Sequence, residues 1–237
     1  MRILILGASS YVGTALAEVF SRDNILILAG RNVDKLAAAA AKCKISGAAQ
    51  VTYTKQDLYL GTNALSQAIK GGRIDLIIDA ASASSRYRDA EMESNDIPRY
   101  VSADFLSRAE IMNHILTSQD TTPAVIFIST VLTLVKSPGR IIYAALKALH
   151  ETYLIKLKDE RPKMNLLIVH VGTVIDTNRE TNKPRKLASA VFEAFNAKKQ
   201  KLFFGLSGVL LLALFYLQPV LFRGFTIAQR KLRKILA

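Results

Sequence analysis

The stretch MRILILGASSYVG, residues 1–13, decides the fold. Its apolar run, Ile3 to Leu6, is too short for a signal peptide and leads straight into a glycine turn, so it reads as a buried strand. The turn Gly7-Ala8-Ser9-Ser10-Tyr11-Val12-Gly13 then opens a helical pattern over Val12 to Phe20. A strand that passes through a glycine turn into a helix is the first half of a βαβ unit.

Working outward, apolar runs of strand length recur at Ile25 to Ala29, Val51 to Thr54, Leu76 to Asp79, Val125 to Ser129 and Leu166 to Val171. Segments with helical spacing separate them, including an Ala-rich one from Val33 to about Lys42 that closes near Gly47. Strands alternating with helices predict an α/β fold: a Rossmann-type, doubly wound parallel sheet covered by helices on both faces. Lys201 to Phe204 is a candidate seventh strand, preceded by helical spacing over Leu187 to Ala197. The polar stretch Thr173 to Pro184 has the composition of a mobile lid over a substrate. The expected organisation is a catalytic domain over residues 1–204 and an apolar, basic helical extension over 205–237.

A glycine at the end of the first strand permits a tight turn, and a second at position 13 lets helix, strand and a bound diphosphate approach closely. Helix N-terminal amides meet the diphosphate charge there. The second strand ends Ala29-Gly30-Arg31-Asn32. An acid in this place would bind ribose hydroxyls and repel a 2′-phosphate; Gly30 makes room instead, and Arg31 can pair with that phosphate. NADP(H) is therefore expected over NAD(H).

Tyr143-Ala144-Ala145-Leu146-Lys147 places a phenol and an ammonium on one helix face. An ammonium beside a phenol favours the phenolate and lowers a reference pKa near 10. Such a pair can give a proton to a carbonyl oxygen as hydride arrives from a nicotinamide.

With Tyr-x-x-x-Lys, the glycine turn and Arg31 together, the chain resembles the short-chain dehydrogenase/reductase family. The family's opening is T-G-x-x-x-G-x-G; here Leu6 stands for the Thr, Gly7 and Gly13 are kept, and Tyr11 occupies the middle glycine's place. Asp57-Leu58 match the acid and apolar residue that hold adenine, and Asp79-Ala80-Ala81 stand where the family has N-A-G. The resemblance implies Tyr143 as proton donor, with Lys147 also binding the nicotinamide ribose. It implies Thr130, thirteen residues before Tyr143, as counterpart of the catalytic Ser, with Ser129 as the neighbouring alternative. Counting back by the family's spacing lands on Ser102 where many members use Asn in a proton relay. After the sixth strand, Val171-Gly172 stand for the family's P-G turn, and Thr177 corresponds to the threonine that touches the carboxamide. The implied cofactor set is thus Gly7, Ser9, Ser10, Tyr11, Val12, Gly13, Arg31, Asn32, Asp57, Leu58, Ala80, Ala81, Tyr143, Lys147, Gly172 and Thr177. The histidines 114, 150 and 170 are scattered and predict no metal site; His150 reads as a packing or oligomer contact.

The 237 residues carry a formal net charge of +13, with 50% apolar content and one cysteine, Cys43, which fits a reduced cytosolic setting. From Lys183 onward, eleven basic residues face a single acid, Glu193. They flank Leu202 to Phe222, 21 residues without a charge, and no nucleic-acid motif accompanies them. This pattern fits an anionic membrane surface. The length also permits a spanning helix, but basic flanks on both sides and a break at Pro219 favour apolar helices lying in the cytosolic leaflet. Burial against another subunit is the third possibility. The expected reaction is reduction by NADPH of a keto group on a lipid-linked sugar or other amphipathic molecule at the cytoplasmic membrane face, with a partner oxidase possible. The Leu/Phe-rich end, Pro219 to Arg223, resembles membrane-associated members such as the reductase subunit of decaprenylphosphoryl-ribose 2′-epimerase. The alternatives are reduction of a soluble ketone, and a cofactor-binding scaffold or redox sensor motivated by Tyr11, Asp79 and Ser102.

Overall fold

Strand β1 (Arg2–Leu6) lies in the interior of the sheet because every residue from Ile3 to Leu6 can be buried on both faces. In the computed structural model, residues 1–60, 63–82, 88–93, 95–135, 139–172 and 183–205 are described. β1 pairs in parallel with β2 (Ile25–Gly30) on one side and β4 (Leu76–Asp79) on the other, so Leu4 lies between Ile27 and Ile77. With β3 (Gln50–Lys55), β5 (Ala124–Thr130), β6 (Leu166–Val171) and β7 (Lys201–Phe204), the order is β3-β2-β1-β4-β5-β6-β7, all parallel. Growth of the sheet reverses where the chain passes from β3 to β4, and the crevice for a ligand opens at the strand carboxyl ends there.

Side-chain alternation divides the core. Ile3 and Ile5 pack with α1 (Tyr11–Val19), α2 (Val33–Ile45) and α7 (Lys183–Asn196), through Leu16, Leu36, Cys43 and Leu187. Leu4 and Leu6 pack on the other face with α3 (Asn63–Ile69), α5 (Ser107–Ser118) and α6 (Ile141–Glu160), through Leu65, Ile111, Ile115 and Leu154. Truncating a fully buried member such as Leu16 to Ala costs about 2–5 kcal/mol. Phe20 sets its ring edge-on against Phe192 at 5.1 Å and Phe195 at 6.0 Å, fixing α7 on α1.

Between β4 and α5 lie a short α4 (Asp96–Val101) and a π turn (Ser102–Leu106). The predicted strands agree to within a residue or two at their ends, and the predicted seventh strand is present. The helix before it starts four residues earlier than its apolar spacing predicts, at Lys183. Pro184 is accommodated in its first turn, where no intrahelical N–H bond is required. Lys183 and Pro184 are therefore helical rather than part of an irregular lid; 173–182 and 206–237, which hold the rest of that stretch and the apolar extension, lie outside the described residues. Among the described residues, no helix is long and apolar enough to cross a membrane.

Candidate active site

Gly7 adopts a φ of +76°, and a Cβ there would stand 2.7 Å from the Ala81 Cα, so the turn out of β1 requires glycine. Gly13 lies directly on the Gly7 carbonyl, leaving no room for a side chain either. Ser10 caps α1 by accepting from the Gly13 N–H at 3.0 Å, and Thr14 donates to the Ala8 carbonyl at 2.9 Å. Ser9, Ser10, Tyr11 and Val12 thereby line a cleft of about 1050 Å³ at the positive end of the helix. Tyr11 is 72% exposed, so the ring in the middle glycine's place stands clear of the core.

At one end of this cleft, Arg31 sits 5.9 Å from the Tyr59 ring centroid, and Arg99 lies 5.4 Å from the same ring. Asp57 and Leu58 form the adjoining wall, with Asp57 accepting from the Tyr59 N–H at 3.1 Å. Lys35 adds a further cation. Asn32 serves the helix instead of the cleft, which it does not line, because its Oδ1 accepts from the Lys35 N–H at 2.8 Å and caps α2.

At the other end, Tyr143 in the first turn of α6 shares a hydrogen bond with Thr130. Burial lifts the Tyr143 phenol above its ordinary value, against the downward pull of that bond. The spacing of Tyr143 and Lys147 predicts the opposite direction. The structure gives the reason, because Lys147 turns its ammonium onto the Ile128 and Ala81 carbonyls, at 2.8 and 3.2 Å. Lys147 also lies 4.7 Å above the Phe127 ring, and burial pushes its pKa down to about 8. Asp89 accepts from the Ile141 and Ile142 N–H groups at 2.7 and 3.2 Å, securing the start of the helix that carries Tyr143.

Ala80, Ala81 and Gly172 line the cleft between the two ends. Ser102 does not: it opens the π turn, and its neighbour Ala103 reaches the wall. Thr177 lies outside the described residues. Ser129 also borders the cleft, but its hydroxyl donates to Glu151 in a short hydrogen bond. Glu151 Oε2 lies 3.3 Å from His170 Nε2. Burial alone would raise the Glu151 carboxyl; bonds from His170, Ser129 and Thr133 outweigh it and hold it below its ordinary value.

Sequence reasoning missed a buried ionic cluster behind Lys147. Arg108 Nη1 lies 3.3 Å from Asp79 Oδ2, and its Nη2 lies 2.7 Å from Asp104 Oδ1. His150 Nε2 approaches Asp79 at 3.7 Å, and its ring lies 4.8 Å from that of Phe127. Burial holds His150 down to about 4 despite the Asp79 charge, so the imidazole is neutral. Its place two helical turns after Tyr143 was the available signal for His150.

A model of the family described as short chain dehydrogenase matches residues 1–188. The chain belongs to that family. Short-chain dehydrogenases are nicotinamide-dependent oxidoreductases of hydroxyl and carbonyl groups, and this chain is one of them. No curated protein sequence matches it. Among solved structures it is similar to a short-chain dehydrogenase from Sphingobium yanoikuyae in complex with NADPH, at 20% identity and a TM-score of 0.75, covering 98% of this chain and 95% of that one. A short-chain dehydrogenase from Streptomyces avermitilis gives 19% identity and a TM-score of 0.77, covering 98% and 97%. The bulky-bulky ketone specific alcohol dehydrogenase from Comamonas testosteroni gives 19% and 0.73, with 85% of each chain covered. At these identities the likeness is one of fold.

Proposed function

We propose that this short-chain dehydrogenase is an NADPH-dependent carbonyl reductase acting on a keto group of a lipid-linked sugar or another amphipathic substrate at the cytoplasmic face of a membrane. The observation that carries the reading is one continuous cleft with Arg31 at one end and the hydrogen-bonded Tyr143 and Thr130 at the other. The glycine turn offers a cradle that a Cβ would fill, so the residues present fit a dinucleotide. Ser9, Ser10 and Val12 would meet its diphosphate, Arg31 and Lys35 a 2′-phosphate, and Lys147 the nicotinamide ribose. When bound, the cofactor supplies hydride to the carbonyl carbon.

The protein's own share is the proton. Tyr143 donates its phenolic hydrogen to the carbonyl oxygen, and Thr130 holds that oxygen in place. Burial raises the phenol above its ordinary value, so Tyr143 stands protonated at neutral pH, in the form that donates. The membrane part rests on the uncharged run 202–222 and its basic flanks. A ketone dissolved in water is the second reading, in which the apolar run 202–222 serves as an oligomer contact instead.

The test is NADPH consumption with long-chain ketones in anionic vesicles and with soluble bulky ketones. Turnover of the vesicle-borne substrate, together with salt-sensitive vesicle flotation, is expected. Turnover undiminished in Tyr143→Phe overturns the mechanism. No flotation combined with turnover of soluble ketones overturns the membrane assignment.

A further inference from the structure

The Ala81 peptide is gripped from three directions. Its N–H donates to Asp79 Oδ1 at 3.1 Å, and its carbonyl accepts from Arg108 Nη2 at 2.7 Å and Lys147 Nζ at 3.2 Å. Two cations from two helices, α5 and α6, thus meet on one oxygen at the cleft wall. Two like charges stay this close only where carboxylates offset them. Asp79 and Asp104 do so, and all four charged residues are at most 4% exposed. Asp79 stands where the family has Asn, so the cluster occupies the place of an uncharged turn.

We propose that Arg108, held by Asp79 and Asp104, is a positioning residue for Lys147, acting through the Ala81 carbonyl that both side chains share. The inference deepens the reductase reading and rests on it for its catalytic half. The planar guanidinium reaches Asp79, Asp104 and the Ala81 oxygen at once, which fixes the carbonyl that in turn fixes the ammonium. Its charge also repels Lys147, whereas the two carboxylates attract it. The charged or titratable groups facing Lys147 are Asp79 from β4, Asp104 from the π turn, Arg108 from α5, and Tyr143, His150 and Glu151 from α6 itself. Removing Arg108 leaves excess negative charge around the ammonium, and removing Asp79 leaves excess positive charge.

The full-length protein carrying ¹³C-labelled lysine allows the Lys147 Cε resonance, assigned by its absence in Lys147→Arg, to be titrated by NMR. Asp79→Asn, Arg108→Gln and the double variant are compared with the wild type. The expected midpoints move about one pH unit down for Asp79→Asn and about one unit up for Arg108→Gln, and return toward wild type in the double variant. The alkaline limb of kcat for NADPH-dependent reduction moves with them. Arg108→Lys keeps the cation but loses the fork, so kcat falls about tenfold or more while the midpoint stays. Midpoints that do not move, or that move in the same direction in both single variants, overturn the inference. Should Arg108→Gln not fold, Arg108→Lys decides: a fall in kcat of about tenfold or more with the midpoint unmoved supports the inference, and a wild-type kcat overturns it. A wild type that reduces no carbonyl defeats the reductase reading alone, because the order of the NMR midpoints is read without turnover.

Discussion

The two ends of the cleft hold charge in opposite ways. At the Arg31 end, Arg31 and Lys35 stand at the surface, open to water, with the Tyr59 ring beside Arg31. At the Tyr143 end, Lys147, Arg108, Asp79 and Asp104 are withdrawn from water and compensate one another. Exposed charge can be exchanged at little cost to the fold and is free to select a ligand. Buried charge is part of the fold, and any change in it is felt in stability and catalysis together.

The contrast can be broken most forcefully at Tyr143. Tyr143→Phe is expected to lower turnover by about 10²–10⁴-fold while NADPH affinity, followed by fluorescence titration, stays near wild type. Next in size, Asp104→Asn leaves the Arg108 guanidinium short of a partner and should cost about 3–5 kcal/mol in chemical denaturation. Arg31→Ser should leave stability within about 0.5 kcal/mol of wild type. Its effect is on the ratio of NADPH to NADH affinity, expected to fall about 10–100-fold.

His150 sharpens the comparison through pH. Its pKa is near 6.5 in the unfolded chain and about 4 in the folded one, so the native state binds fewer protons between these values. The stability it contributes is whole above pH 6.5 and is lost as pH falls toward 4, about 3 kcal/mol across the window. His150→Phe should flatten that part of the denaturation profile. The smallest effect is expected at Asp89→Ala, about 1 kcal/mol from the lost bonds to the Ile141 and Ile142 N–H groups.

The same contrast explains what could be read in the sequence. β1, the glycine turn and Arg31 are contiguous, and a local pattern of apolar residues, glycine and charge specifies them. Tyr143 and Lys147 share one helix, and Thr130 ends a strand that its own apolar run reveals. Arg108, Asp104 and Glu151 carry no such mark, because their partners lie on other elements and meet only through strand register and helix packing. Ser102 and Ala103 are neighbours in sequence, and which of them reaches the cleft depends on the local helix geometry, which has no periodic signature. Asp79 was legible only as a departure from the family; its meaning required Arg108, 29 positions away.

Gly7 gives these two ends a common fate. The methyl group that cannot be placed there would collide with Ala81, whose carbonyl holds the ammonium of Lys147. A mutation that reshapes the glycine turn therefore presses on Lys147 in the same step. Neither half can be reshaped at Gly7 without disturbing the other, whereas Arg31, exposed at the surface, can change alone.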